Sequence, residues 1–231
     1  IGDTPAARMH YQRAEDLSRR AVALRPNDRK LLLGLALTLS ARGTFAFWDD
    51  DLKLAEAAYR DAIPLFAAEM KHNPDNKELS LQHDSAVIGL GDVQHWNGQL
   101  NEALATYDSV CNARVVAAAK DPALLGSAGI CHTRRADTLA WLERYPEATK
   151  EIELALAIDE ANLKKSPTDN HFAHGYIVTQ SKRGEILDWS GKKEEALDAM
   201  SKSLAVAEKM ARIDPADVRS ARNVAQMHSK R

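Results

Sequence analysis

Few residues in this sequence have types and spacing that could do chemistry, and what they suggest is binding rather than bond-making. His171 and His174 stand three apart, the one histidine pair at helical ligand spacing among eight histidines. No carboxylate or cysteine completes a metal motif around them, so they read as a surface pair. No glycine-rich phosphate loop links a strand to a helix, and no strand pattern is present to carry one. A Ser-His-Asp constellation is a matter of geometry and cannot be read from residue order. The expectation is a non-enzymatic chain with no catalytic residue, metal or cofactor.

A more regular pattern joins aromatic, polar and acidic residues. The four tryptophans, Trp48, Trp96, Trp141 and Trp189, each follow by four residues a member of the row Thr44, Asp92, Asp137 and Glu185. Four residues before that row stand Ser40, Ile88, Thr133 and Ser181. On a helix, spacing of four puts all three rows on one face. A ladder of indoles beside a ladder of carboxylates suits a basic or amphipathic peptide, with indole faces able to hold Arg or Lys. The same ladder could instead stack on the rings of a small molecule or glycan. Against both stands the commoner fate of tryptophan, which is core: each ring can pack over the adjoining second helix. The carboxylates can likewise be solvated, or pair with Arg42, Arg135 and Arg183.

These rows imply the elements that position them, because they belong to a repeat. A small residue precedes each Trp (Gly43, Gly91, Ala136, Gly184) and an alanine follows it by seven (Ala55, Ala103, Ala148, Ala196), with Ala7 as an earlier trace. Four residues beyond comes a large side chain: Tyr11, Tyr59, Tyr107, Ile152, Met200. Pro26, Pro74, Pro122, Pro167 and Pro215 close the unit at steps of 48, 48, 45 and 48 residues. Proline cannot sit deep in a helix, so each marks a corner. First helices are expected over 28–48, 75–97, 122–143 and 168–190, and their partners over 51–72, 100–120, 146–165 and 192–213. Asn73, Asp121, Ser166 and Asp214, each just before a proline, and Thr4 before Pro5, are the expected caps. Pro64 falls inside a second helix and should kink it by removing the bond to the Arg60 carbonyl. A glycine inside a helix costs about 1 kcal/mol relative to alanine. Its return at 43, 91 and 184 therefore needs a packing reason, and the facing alanines are the expected one.

The organisation that follows is one array over 1–231. Residues 1–25 form the second helix of an interrupted repeat. Four repeats occupy 26–73, 74–121, 122–166 and 167–214, and 215–231 form a further first helix. The expected fold is an all-α solenoid of antiparallel helix pairs. Both ends cut through a repeat, which reads as a segment of a longer polypeptide and leaves end helices through which copies could self-associate.

Composition narrows the partner classes. With 31 basic and 33 acidic residues, and no long run of either sign, the chain lacks the footprint of a nucleic-acid or anionic-membrane binder. The longest apolar run, 31–39, is too short to span a bilayer, so no membrane contact is expected. The compartment, cytoplasmic or periplasmic, stays open. Cys111 and Cys131 lie at similar heights either side of Pro122, so a disulfide is conceivable, but two buried thiols are the expected state.

Leu90-Gly91, Ala103-x3-Tyr107 and Pro122, with Gly184, Ala196 and Pro215, resemble the signature of tetratricopeptide repeats. The unit departs in length, each helix gaining seven residues, or two turns, at the proline end. It is similar to the long arrays of large bacterial multidomain signalling proteins, such as serine/threonine kinases. The resemblance implies a right-handed superhelix with a concave face that binds a protein segment. The basic clamp of the usual arrays has no counterpart, since the inward positions here are acidic.

Overall fold

The computed structural model describes residues 4–118 and 125–215, and among them every regular element is an α-helix. Two compact units divide the chain, Ile1–Val110 and Cys111–Arg231. The first holds α1 (Thr4–Leu24), α2 (Arg29–Trp48), α3 (Leu52–Met70), α4 (Lys77–Trp96) and the first part of α5 (Leu100–Ala118). The second holds the rest of α5 with α6 (Leu125–Trp141), α7 (Tyr145–Lys165), α8 (Asn170–Trp189) and α9 (Lys193–Ile213). Consecutive helices pair as in an α-solenoid, and α3 runs through Pro64 as one helix. Pro122, its neighbour Asp121 and residues 216–231 lie outside the described residues, and with them the expected corner at 122 and the expected last helix.

The helix starts correct the sequence reading. The caps are not the residues before the prolines but those two after them. Asp28 accepts from the amides of Lys30 and Leu31, Asn76 from Leu79, and Asp169 from His171 and Phe172. Each satisfies amides that the first helical turn leaves without partners. The proline thus sits in the corner and the helix begins later, while Thr4 is itself the first residue of α1.

The hairpin turns share one geometry. Two residues after each Trp the chain enters the left-handed region: Asp50 (φ 62°), Gly98 (φ 76°), Glu143 (φ 60°) and Gly191 (φ 83°). The next amide then closes the helix, as in Asp51 to the Ala46 carbonyl (2.9 Å) and Lys192 to Leu187 (2.8 Å). This is the Schellman type of ending, which stops the first helix just beyond its Trp.

What faces the helical glycines also differs from the expectation. Ala55, Ala103 and Ala196 are buried, but the group lying on each glycine is the large side chain four residues beyond. A Cβ at Gly43 would come within 3.0 Å of Tyr59, one at Gly91 within 2.5 Å of Tyr107, and one at Gly184 within 2.7 Å of Met200. Tyr59 is covered on its other side by Gly89 of α4, where a Cβ would also overlap the ring. The glycines thus make room for a large side chain, a tyrosine ring at Gly43 and Gly91 and a thioether at Gly184, not for a second backbone. In α6 and α7 the pair is Ala136 and Ile152, both fully buried.

Cys111 on α5 and Cys131 on α6 form a disulfide, with Cα atoms 5.5 Å apart and both residues buried. The two thiols expected from burial are therefore joined. Helix α2 is also apolar and long enough to cross a membrane by length and composition alone. That qualifies the reading of its nine-residue apolar run. In the fold, Leu35, Ala36, Leu39 and Ala46 of α2 are buried in the core of the first unit, with Tyr59 and Phe66 of α3.

Candidate functional site

The tryptophan row stands at the last position of α2, α4, α6 and α8, immediately before the left-handed turn. That position decides its exposure, since no further helical turn of its own element covers the ring. The rings are exposed, Trp48 by 81%, Trp96 by 67%, Trp141 by 54% and Trp189 by 42%. Of the two fates the sequence leaves open for the tryptophans, core or exposed row, the rings take the exposed one. In the second unit, Trp141 and Trp189 meet edge to face with centroids 5.8 Å apart, a favourable aromatic geometry. In the first unit Phe47 lies beside Trp48 at 5.6 Å and His95 beside Trp96 at 6.2 Å.

The row one turn before the tryptophans is engaged from within. Thr44 exchanges a hydrogen bond with the Tyr59 hydroxyl at 3.0 Å, and the Tyr107 hydroxyl donates to Asp92 at 2.7 Å. Burial raises the Tyr59 hydroxyl above the usual phenol range; its bond to Thr44 works the other way, and the charge of Asp92 adds to the rise. In the second unit Lys182 places its ammonium 3.1 Å from Asp137 and 3.0 Å from Glu185. Burial pulls the Lys182 ammonium down, but the two carboxylates outweigh it and leave it raised. Of the arginines expected as partners, Arg42 pairs with Glu15, Arg183 with Glu153, and Arg135 donates to Asn112.

The remaining row is mostly inside. Thr133 and Ser181 are buried, each donating to the carbonyl four residues earlier, Gly129 and Ile177. Ser181 also meets Ser203 of α9 at 3.2 Å. Ser40 is half-buried, its carbonyl accepting from Thr44 at 3.1 Å. From the three rows, the tryptophans and Thr44 are the exposed members. His171 lies exposed at the start of α8, its ring against Phe172. Among the described residues no three His, Cys, Asp or Glu side chains converge as metal ligands would.

Sequence reasoning missed Lys182, although it stands one turn before Glu185 and could have been paired with it. It also missed a 360 Å³ cavity between α8 and α9, bordered by Glu185, Asp188, Trp189, Leu197 and Met200. That cavity had no linear signal, because its two walls come from different helices.

No protein-family model and no curated protein matches the chain. Solved structures do. BtubC (BKLC) from P. vanneervenii is 14% identical with a TM-score of 0.63, over 99% of this chain and 84% of that one. The apo form of RapI is 12% identical with a TM-score of 0.62, over 84% of this chain and 62% of that one. MamA is 15% identical with a TM-score of 0.55, over 92% of this chain and 97% of that one. At such identities the likeness carries architecture alone, and the architecture is the α-solenoid of tetratricopeptide-like helix pairs.

Proposed function

We propose that this chain is a non-enzymatic interaction scaffold that binds a protein or peptide segment. The observation that carries the reading is the exposure of all four tryptophans at one repeat position. A large apolar ring left in water at every repeat costs solubility and marks a surface that meets something else. Asp92, Asp137 and Glu185 are held from within, so the preference for a basic or amphipathic partner rests on the indole faces and on exposed Asp188 beside Trp189. The division into repeats over 26–73, 74–121, 122–166 and 167–214 belongs to the same proposal, as does a setting in a larger bacterial signalling protein.

Tryptophan emission tests it directly. Titration of the chain with basic amphipathic peptides should shift the emission saturably and protect it from acrylamide, while oligosaccharides leave it unchanged. A response to oligosaccharides alone would transfer the site to a glycan sensor.

A further inference from the structure

Helix α2 differs from the other first helices on the side that faces water. From Lys30 onward its exposed residues are Lys30, Gly34, Leu37, Ala41, Thr44 and Trp48, and every residue between them is buried or half-buried. Their steps of four, three, four, three and four keep them in one narrow row along the helix, the spacing of a coiled-coil seam. The solvent face of a helix is ordinarily charged. Elsewhere in the chain the equivalent repeat positions follow that rule, with Asp92 in α4, Asp137 in α6, and Lys182 and Glu185 in α8. On α2 the row carries no charge beyond Lys30, and its Leu37 and Trp48 are 41% and 81% exposed.

Packing within the array does not close this row. α1, α3 and α4 already lie against α2 and leave it open. In α4, which has the preceding first helix beside it, Ser85 and Trp96 stand where α2 has Leu37 and Trp48, and both remain exposed. Side chains of the chain itself lie on Gly43, Gly89, Gly91 and Gly184, but nothing lies within 4 Å of the Cβ position at Gly34. The fold of a single copy therefore gives no packing reason for that glycine.

The row is complementary to itself. Its spacing is the same read from either end, so two copies of α2 lying antiparallel set Lys30 against Trp48, Gly34 against Thr44 and Leu37 against Ala41. Each pair joins unlike partners. Leu37 meets the small Ala41, Thr44 meets the gap at Gly34, and the Lys30 ammonium meets the exposed indole of Trp48. In the parallel arrangement each residue would meet its own kind, with Lys30 against Lys30. A surface on which one residue meets a second, and the second meets the first, is what a two-fold dimer requires.

We propose that the exposed row of α2 is the interface of a two-fold homodimer, in which the Lys30–Trp48, Gly34–Thr44 and Leu37–Ala41 pairs each form twice across an antiparallel helix contact. The occupant of this face is thus a second copy of the chain. The dimer goes beyond the scaffold reading, since it engages Trp48 alone of the four indoles.

Sedimentation equilibrium of the full chain across micromolar concentrations should show reversible association that stops at two copies. Ala41→Glu sets a carboxylate against Leu37 of the second copy and should weaken the dimer by about a hundredfold or more, and Leu37→Ala by about tenfold. Leu24→Glu on α1, where the side chain is 84% exposed, should leave it unchanged. All three positions are exposed, and circular dichroism checks that each variant keeps its helices. Gly34→Cys chains mixed with Thr44→Cys chains should form an intermolecular disulfide. Neither should do so alone, because in the antiparallel pair each cysteine lies about 15 Å along the axis from its own copy, too far for the bond. The native Cys111–Cys131 bond is buried and takes no part. A chain that stays monomeric at every concentration, a dimer that Ala41→Glu leaves intact, or one lost with Leu24→Glu overturns the interface. Cross-linking within Gly34→Cys alone or Thr44→Cys alone overturns the antiparallel pairing. The scaffold reading fails separately, if basic amphipathic peptides leave the tryptophan emission of the monomeric Ala41→Glu chain unchanged.

Discussion

Gly91 shows how a single hydrogen atom sets the packing of a hairpin. The Tyr107 ring lies where a Cβ would be, and its hydroxyl reaches past the helix to Asp92. Gly91→Leu should therefore lower stability by about 3 kcal/mol or more, since overpacking displaces both ring and hydrogen bond. Gly34 is the matched control, a helical glycine with nothing within 4 Å of its Cβ position. Gly34→Ala should raise stability by about 0.5–1 kcal/mol through helix propensity alone. Urea denaturation of the two variants checks both signs.

Asp159 gives a pH signature at the same scale. Burial raises its carboxyl above the usual range, against the bond donated by Thr179 at 2.6 Å and the charge of His171. A folded pKa above the unfolded one means a contribution that is fully present below the unfolded value of 3.8 and lost as pH rises through the folded value. At pH 7 the ionised group is a cost. Asp159→Asn keeps an acceptor for Thr179 and removes the charge, so it should melt a few degrees higher at pH 7. The advantage should vanish near pH 3, and melting curves across that range would show whether it does.

At the scale of elements, each first helix is bounded by two devices that differ in legibility. Its end is a Trp followed by a left-handed residue, and Gly98 and Gly191 announce it in sequence. Asp50 and Glu143 do the same work with side chains, where only the backbone angle reveals the turn. The starts of α2, α4 and α8 are capped by Asp28, Asn76 and Asp169, and proline drew attention to the wrong neighbour because proline favours several corner positions. Between elements, the Cys111–Cys131 bond ties α5 to α6 across 20 residues of sequence. A loop of that length restricts the unfolded chain by about 3 kcal/mol. Cys111→Ala with Cys131→Ala should lose roughly that amount, and the wild-type chain reduced in denaturant should refold to the same lower stability. Equal midpoints for oxidised and reduced protein would contradict it.

For the whole molecule, helix pairs packing on sequence neighbours predict additivity. Gly43→Leu in the first unit and Gly184→Leu in the second disturb different side chains, Tyr59 and Met200. Their effects on unfolding free energy should add within about 0.5 kcal/mol. The double variant measured against the two single ones decides this.

By itself the sequence determined the all-α pairing of helices, because small, aromatic, alanine and proline positions recur in step and helix periodicity is a local property. It also placed Trp48, Trp96, Trp141 and Trp189 on one row with Thr44, Asp92, Asp137 and Glu185. Tertiary structure alone decided which of these reach solvent. Trp exposure depends on where the left-handed turn ends each helix, and Ser181 is buried where Ser203 of α9 meets it. Whether Asp137 and Glu185 face water or a lysine is likewise set by a side chain 45 residues from the first and three from the second. Burial and pairing are properties of two surfaces meeting, and a one-dimensional pattern specifies only one of the two.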